Sequence, residues 1–253
     1  MLRTRIIPAL LLKNESLVKT VGFGKFTYVG DPANTVRIFN ELEVDELLFL
    51  DISASLQKRG PNFKVLRDIA DECFMPLGYG GGITTLEEAK AVFDIGFEKV
   101  AINSSAITNP NLISVISKYY GNQALIVSID VKATFGGRQS VYRLSGRKNA
   151  CLAPIEWAKQ VEQMGAGEIL LTSINREGTW DGFDLDLVRS VADAVSIPVI
   201  AHGGAGTVEH IKKVVQESNA SAVALGSMVV FQKKGMGVLV NFPIRELKKN
   251  TKV

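Results

Sequence analysis

Eight apolar, β-rich runs alternate with helical segments, and the two halves of the chain repeat. Together these predict an α/β fold closed as a (β/α)8 TIM barrel with two-fold internal symmetry. The runs lie at about 5–12, 46–51, 76–79, 98–102, 123–130, 168–172, 197–201 and 221–225. The helices between them announce their starts. Asp31-Pro32 opens one, Thr85-Leu86-Glu87-Glu88 the next and Asn109-Pro110 another, while Pro154 begins the fifth and Thr207-Val208-Glu209-His210 the seventh. Strands alternating with helices favour a parallel sheet with right-handed crossovers, and 253 residues match the roughly 250 typical of such barrels. A doubly wound open sheet accounts poorly for a four-plus-four repeat, because it leaves edges that a barrel does not have. The expected organisation is one barrel over 1–253, with half-barrels at about 1–120 and 121–245.

The repeat rests on four aligned segments. Arg5-Ile6-Ile7-Pro8-Ala9-Leu10-Leu11-Leu12-Lys13 lines up with Ala124-Leu125-Ile126-Val127-Ser128-Ile129-Asp130-Val131-Lys132. Phe49-Leu50-Asp51-Ile52 matches Leu171-Thr172-Ser173-Ile174, Tyr79-Gly80-Gly81-Gly82-Ile83 matches Ala201-His202-Gly203-Gly204-Ala205, and Ala101-Ile102-Asn103-Ser104 matches Ala224-Leu225-Gly226-Ser227. Gly82 and Ser104 are 22 residues apart, Gly204 and Ser227 23, so the register holds across each half. In that register Asp130 stands opposite Leu11: one half has a carboxylate where the other has an alkyl group.

Composition excludes several classes. Apolar residues make up 46% of the chain, enough for one large core, and the net charge of +3 is too small to argue for nucleic acid. The short run after Arg3 and Arg5 is broken by Lys13 with no cleavage motif after it, so it reads as a first strand rather than a leader. No stretch approaches the ~20 apolar residues of a membrane span. Cys73 and Cys151 form no paired motif and read as buried small apolar side chains in a reducing, cytoplasmic setting. His202 and His210 are the only histidines, and no cluster has metal-ligand spacing, so neither metal nor cofactor is expected.

The glycine clusters carry the strongest local chemistry. Gly80-Gly81-Gly82 ends the third strand, and Gly203-Gly204 with Gly206 ends the seventh; one unit later come the small polar ends Asn103-Ser104 and Gly226-Ser227. Glycine lets backbone N–H groups approach an anion, and barrels often bind phosphate at strands seven and eight. The repeat adds an equivalent site at strands three and four. Candidate phosphate ligands are therefore Gly81, Gly82, Asn103 and Ser104 on one side, and Gly203, Gly204, Gly226 and Ser227 on the other, suiting an elongated substrate with a phosphate at each end. Two long connections flank them as candidate lids: about Lys13 to Gly30, and a hairpin in which Lys132–Arg138 turns back into Ser140–Leu144. The densest basic stretches are Arg143–Lys148, in that hairpin, and the tail Arg245–Lys252.

These motifs together resemble HisF, the cyclase subunit of imidazole glycerol phosphate synthase, over nearly the whole chain. The matching segments are Arg5-Ile6-Ile7, Asp45-Glu46-Leu47 with Phe49-Leu50-Asp51-Ile52, Gly80-Gly81-Gly82-Ile83, Lys99-Val100-Ala101-Ile102-Asn103, Ser145-Gly146, Gly165–Ile174 and Ala201–Gly206. The resemblance implies a glutaminase (HisH-like) partner on the N-terminal face of the barrel. Ammonia from it would pass a gate of Arg5, Glu46, Lys99 and Glu168 and cross the barrel core to a phosphorylated substrate at the other end. It places Asp130 at one of two essential aspartates and Leu11 at the other, and it marks Lys19, Thr172, Glu177 and His202 as further substrate-site residues. Glu177 stands where the family often has aspartate, with Gly178-Thr179 following as expected, and His202 where it usually has serine. An alkyl side chain moves no proton, so Leu11 is not a conservative change. The expected function is a HisF-like subunit of a glutamine amidotransferase system. It would deliver ammonia, with Asp130 and Asp51 holding or deprotonating the ammonium, for amidine formation on a bacterial surface sugar together with an N-acetyl sugar amidotransferase synthetase. Two alternatives stay open: an authentic cyclase of histidine biosynthesis, and a non-catalytic barrel that activates its glutaminase.

Overall fold

The computed structural model describes residues 4–134 and 136–242. Phe135, in the second hairpin, and the basic tail Arg245–Lys252 lie outside the described residues. Eight strands run parallel in chain order: β1 (Arg5–Lys13), β2 (Leu47–Asp51), β3 (Leu77–Gly80), β4 (Lys99–Ile102), β5 (Leu125–Ala133), β6 (Glu168–Ser173), β7 (Val199–His202) and β8 (Ala222–Leu225). Arg5 pairs with Ala222 and Pro8 with Leu225, so β8 hydrogen-bonds to β1 and the barrel closes. Observed and expected strands differ by no more than three residues at any end.

Helices follow the first seven strands: α1 (Pro32–Glu41), α2 (Phe63–Ala70), α3 (Leu86–Ile95), α4 (Asn111–Tyr120), α5 (Pro154–Gln163), α6 (Leu185–Ala192) and α7 (Val208–Ser218). Their starts follow the sequence signals. The Asp31 side chain accepts from Asn34 N and Thr207 from His210 N. Thr85 and Glu88 form a reciprocal capping box. Pro154 occupies the first turn of α5, where its missing N–H costs nothing.

Alternation along each strand divides the core into two. On β1, Ile6, Leu10 and Leu12 join the large shell between sheet and helices, whereas Ile7 and Ala9 point into the barrel. The inner cluster also takes Leu48, Ala101, Ile126, Leu170, Ile200, Ala222 and Ala224. Small residues make room on one side: a Cβ at Gly78 would stand 2.9 Å from Leu48 Cδ1, and one at Gly80 2.9 Å from the Ala101 carbonyl. The result is an apolar interior with a charged lower end and a polar upper end.

Two hairpins rise from the upper end, where the sequence places long loops. Ser16–Thr20 pairs antiparallel with the end of β1 and with Phe26–Gly30. Gln139–Arg143 pairs with the end of β5 and with Lys148–Asn149. The cysteines depart from expectation. Cys73 is half-buried and Cys151 exposed, because Cys151 lies in the irregular connection into α5, where its N–H donates to Asn149 Oδ1.

Candidate functional site

Four charges close the lower mouth. Arg5 Nη1 donates to Glu46 Oε2 at 2.9 Å and Nη2 to Glu168 Oε1 at 2.6 Å, while Lys99 Nζ lies 3.2 Å from both Glu46 and Glu168. Each cation thus bridges both carboxylates. Glu46 and Glu168 are buried, and unpaired carboxylates there would be costly. The two carboxylates together raise the Arg5 pKa against the opposing effect of its burial.

At the other end the strands and both hairpins enclose a cavity of about 690 Å³. Leu11, Asp51, Asn103, Asp130, Thr172, Glu177 and His202 all line it. Leu11 is 5% exposed and packs between Leu50 of β2 and Val18 of the first hairpin, so an alkyl group occupies the position opposite Asp130. Asp130 sits in a network. Asn103 Nδ2 donates to its Oδ2 at 3.1 Å and Ser128 Oγ to its Oδ1 at 3.2 Å. Burial pushes Asp130 up to about 7 against the Ser128 and Thr172 hydroxyls, which favour the carboxylate. The neighbouring Thr172 Oγ1 is 3.1 Å from His202 Nδ1, and burial, with the nearby Lys19, pulls His202 down to about 3. The imidazole is therefore neutral, and Asp130 is the one group of this network that changes protonation near neutral pH.

Asp51 is held differently. Its Oδ1 accepts from Ser53 N, Ser53 Oγ and Ala54 N at 2.9, 2.8 and 3.1 Å, and its Oδ2 from Arg59 Nη2 at 2.7 Å. These bonds shape the turn after β2 and fix Arg59 beside the first glycine cluster. Gly81 and Gly82 have φ of 134° and 73°, and a Cβ on Gly82 would meet the Arg59 carbonyl at 2.5 Å. Close backbone packing therefore demands glycine here, and the same turn opens onto the cavity with Ser104.

The second cluster has another setting. Gly203, Gly204, Gly226 and Ser227 are not among the residues that line the cavity. A Cβ on Gly204 would stand 2.1 Å from the Gly182 carbonyl, and Gly182 N donates to the Gly204 carbonyl at 2.8 Å, so the loop after β6 covers this turn. A Cβ on Gly226 would meet side chains instead: Lys19 Nζ at 3.1 Å and His202 Nε2 at 3.8 Å. Lys19 reaches down from the first hairpin, is buried, and donates to the Ala9 carbonyl. Burial lowers it to about 8 against the pull of Glu177. Glu177 anchors the same hairpin: Thr20 Oγ1 and Phe23 N donate to its carboxylate at 3.0 and 3.1 Å, and Gly22 N to its carbonyl at 2.9 Å. Burial raises the Glu177 pKa.

Sequence reading passed over Arg59 and Ser128, and it noted Arg143–Lys148 only as a basic stretch. Lys13, Lys25, Lys58, Arg59, Arg143 and Arg147 all line the cavity, so its mouth is cationic and suits an anionic ligand. The signal for Ser128 was present, two residues before Asp130 on the same face of the strand. Among the described residues no group of His, Cys, Asp and Glu is placed to hold a metal ion, and no helix is long and apolar enough to cross a membrane.

Comparison with known proteins agrees with this geometry. Residues 5–234 match the family model described as histidine biosynthesis protein. The chain is 47% identical over 243 residues to a Pseudomonas aeruginosa protein provisionally named imidazole glycerol phosphate synthase subunit hisF2, covering 96% of this chain and 97% of that one. It is 44% identical over 244 residues to a Leptospira borgpetersenii protein provisionally named subunit HisF, covering 96% of each. It is 43% identical over 250 residues to a Vibrio vulnificus protein provisionally named subunit hisF3, covering 98% of this chain and 96% of that one.

Proposed function

This chain belongs to the histidine biosynthesis protein family, among the HisF-like imidazole glycerol phosphate synthase subunits, and from that premise we propose that it receives ammonia from a glutaminase docked on the lower face and delivers it for amidine formation on a bacterial surface sugar. One observation carries the reading: the four-charge ring is intact while the partner of Asp130 is Leu11. Ammonia is small and neutral, so an apolar barrel interior lets it cross where ammonium would need a counter-charge. At the upper end Asp130, poised near neutral pH, accepts a proton from the arriving nitrogen or returns one. Ring closure of the cyclase type calls for an acid and a base. Leu11 removes one of them, whereas amidine formation needs a single proton acceptor: ammonia adds to an amide carbon whose oxygen a synthetase partner has activated, the nitrogen gives up one proton, and the activated oxygen departs as the C–O bond breaks.

The experiment combines the purified chain with a HisH-type glutaminase and, separately, with the phosphoribulosyl substrate of the cyclase plus ammonium salt. Stimulated glutamine hydrolysis with negligible cyclase turnover is expected. Ordinary cyclase turnover would instead establish the histidine-biosynthetic reading, which the names of the relatives favour. Sugar amidination is tested by adding the candidate synthetase with an N-acetyl sugar substrate and following glutamine-dependent amidine by mass spectrometry.

A further inference from the structure

Three polar side chains stand in one row at the upper end of the barrel. The register pairs Asp130 of β5 with Thr172 of β6, and Thr172 with His202 of β7. In-register residues on parallel strands point to the same face, here into the cavity that all three line. The internal repeat gives the row a counterpart: Leu11 pairs with Leu50, Leu50 with Gly80, and Gly80 with Ala101. Those positions align with Asp130, Thr172, His202 and Ala224, the last of which pairs with His202. Half of this layer is therefore apolar throughout, while the other half places three polar side chains in succession. Thr172 and His202 are buried, so their polar atoms need partners within the row.

The chemistry of these groups gives the row a direction. A threonine hydroxyl has one proton. Thr172 Oγ1 lies 3.1 Å from His202 Nδ1 and also faces the Asp130 carboxylate, whose charged form it favours. A carboxylate only accepts, so the single proton goes to Asp130 and the threonine oxygen takes its other bond from an Nδ1–H. The far side of the ring asks for the same tautomer. His202 Nε2 and Lys19 Nζ stand 3.8 and 3.1 Å from where a Cβ on Gly226 would be, so they are neighbours. An ammonium only donates, and its charge favours a bare lone pair on Nε2 over an N–H. Lys19 is held in place by its bond to the Ala9 carbonyl, and it is the charge that acts on His202.

We propose that His202 is a positioning residue: protonated at Nδ1 and bare at Nε2 towards Lys19, it turns the Thr172 hydroxyl to donate to Asp130 and so keeps Asp130 a proton acceptor. Ser128 and Asn103 supply two further donors to that carboxylate, which leaves one of its roughly four lone-pair sites for the incoming nitrogen. The inference rests on the proposed function in that Asp130 there takes the proton of this nitrogen; the row itself requires no particular substrate.

The test is NMR of the full chain, read at the ring nitrogens of histidine and at the carboxyl carbon of Asp130. The sequence has two histidines, so the ring missing from any His202 variant is that of His202. Near neutral pH the wild-type ring shows a protonated Nδ1 and a bare Nε2, and its signals shift as Asp130 ionises, an effect absent from Asp130→Asn. Thr172→Val and His202→Leu each move the Asp130 midpoint to higher pH, because a donor to the charged form is lost or set free to turn away. Thr172→Ser keeps the hydroxyl and His202→Asn an N–H in the place of Nδ1, and both return the midpoint towards wild type. A wild-type ring protonated at Nε2 instead, or an Asp130 midpoint unmoved in His202→Leu, overturns the inference; the wild-type spectrum decides even if a variant fails to fold. Glutaminase stimulation measured on the same preparation reports on the proposed function separately: the expected spectra without stimulation would leave the row standing and remove the function.

Discussion

Asn103 holds Asp130 through one nitrogen, which lies 3.1 Å from the carboxylate and is shared with the carbonyls of Ser128 and Tyr142 at 3.1 and 3.3 Å. A barrel strand, its neighbour and a hairpin are thereby fastened around the one acid of the network that titrates near neutrality. Burial pushes Asp130 up to about 7, above the ~3.9 of an unfolded chain. The sign follows: a raised native pKa gives stability that is fully present below the unfolded value and lost as pH rises through 7. Asp130→Asn stays neutral throughout. Its stability advantage over wild type should therefore grow between pH 5 and pH 8 by roughly 3 kcal/mol. Urea unfolding of both proteins at the two pH values measures this; an advantage that does not change with pH would refute it.

Leu11→Asp tests the missing carboxylate directly. If the rest of the upper site is competent for cyclase chemistry, the variant gains turnover of the phosphoribulosyl substrate with ammonium salt by about 10²-fold or more over a silent wild type. A second buried carboxylate facing the same cavity as Asp130 also lowers stability, by about 1–3 kcal/mol at pH 8. A variant as silent as wild type would mean that the departure from the cyclase extends beyond position 11, with Glu177 and His202 the next positions to change.

Much of this was legible in the sequence, and the limits have physical reasons. Apolar, β-rich runs and helix caps are local signals, so β1 to β8 emerge to within three residues at each end. The four charges Arg5, Glu46, Lys99 and Glu168 came from the family resemblance, and local pattern adds only that each stands at or just before the start of an otherwise apolar strand. The unequal fates of the two glycine turns were not legible. Lys19 descends from a hairpin to stand beside Gly226, and Gly182 covers Gly204, contacts across separations that no local pattern encodes. Asp51, expected to hold or deprotonate ammonium, lines the cavity, and its carboxylate accepts from Ser53, Ala54 and Arg59 of its own loop, bonds that the sequence did not point to.

Removing one cation from the ring should cost more than a surface ion pair. Lys99→Met leaves Glu46 and Glu168 sharing Arg5 alone, in a mouth where the lysine side chain is 17% exposed and that of Glu46 only 5%. Breaking a buried pair costs about 3–5 kcal/mol, and the partial exposure of Arg5 brings the expectation to about 2–3 kcal/mol. Adding Glu168→Gln removes the surplus negative charge and recovers part of the loss. Chemical denaturation of the single and double variants checks both signs; equal stabilities would show that the lower mouth is wetter than its burial suggests.

Glu177 should govern how firmly the first hairpin sits over the cavity. Its carboxylate accepts from Thr20 and Phe23, and its carbonyl from Gly22, so one residue after β6 secures three residues of a hairpin that begins after β1. In Glu177→Gln one oxygen becomes an amide nitrogen. The amide can turn its oxygen to the Phe23 N–H and its NH2 to the Thr20 hydroxyl, and the Gly22 bond to the backbone carbonyl persists, so what is lost is the negative charge on these bonds. Losing that charge assistance, about 1–2 kcal/mol, raises the population of the lifted hairpin roughly 5- to 30-fold, without unfolding the barrel. Lys25 is exposed beyond the anchored turn and offers trypsin a cleavage site once the hairpin lifts. Limited trypsin digestion followed by mass spectrometry should show faster cutting after Lys25 in the variant at an unchanged melting temperature. An unchanged cutting rate would mean that Lys19, through its bond to the Ala9 carbonyl, is the anchor that matters.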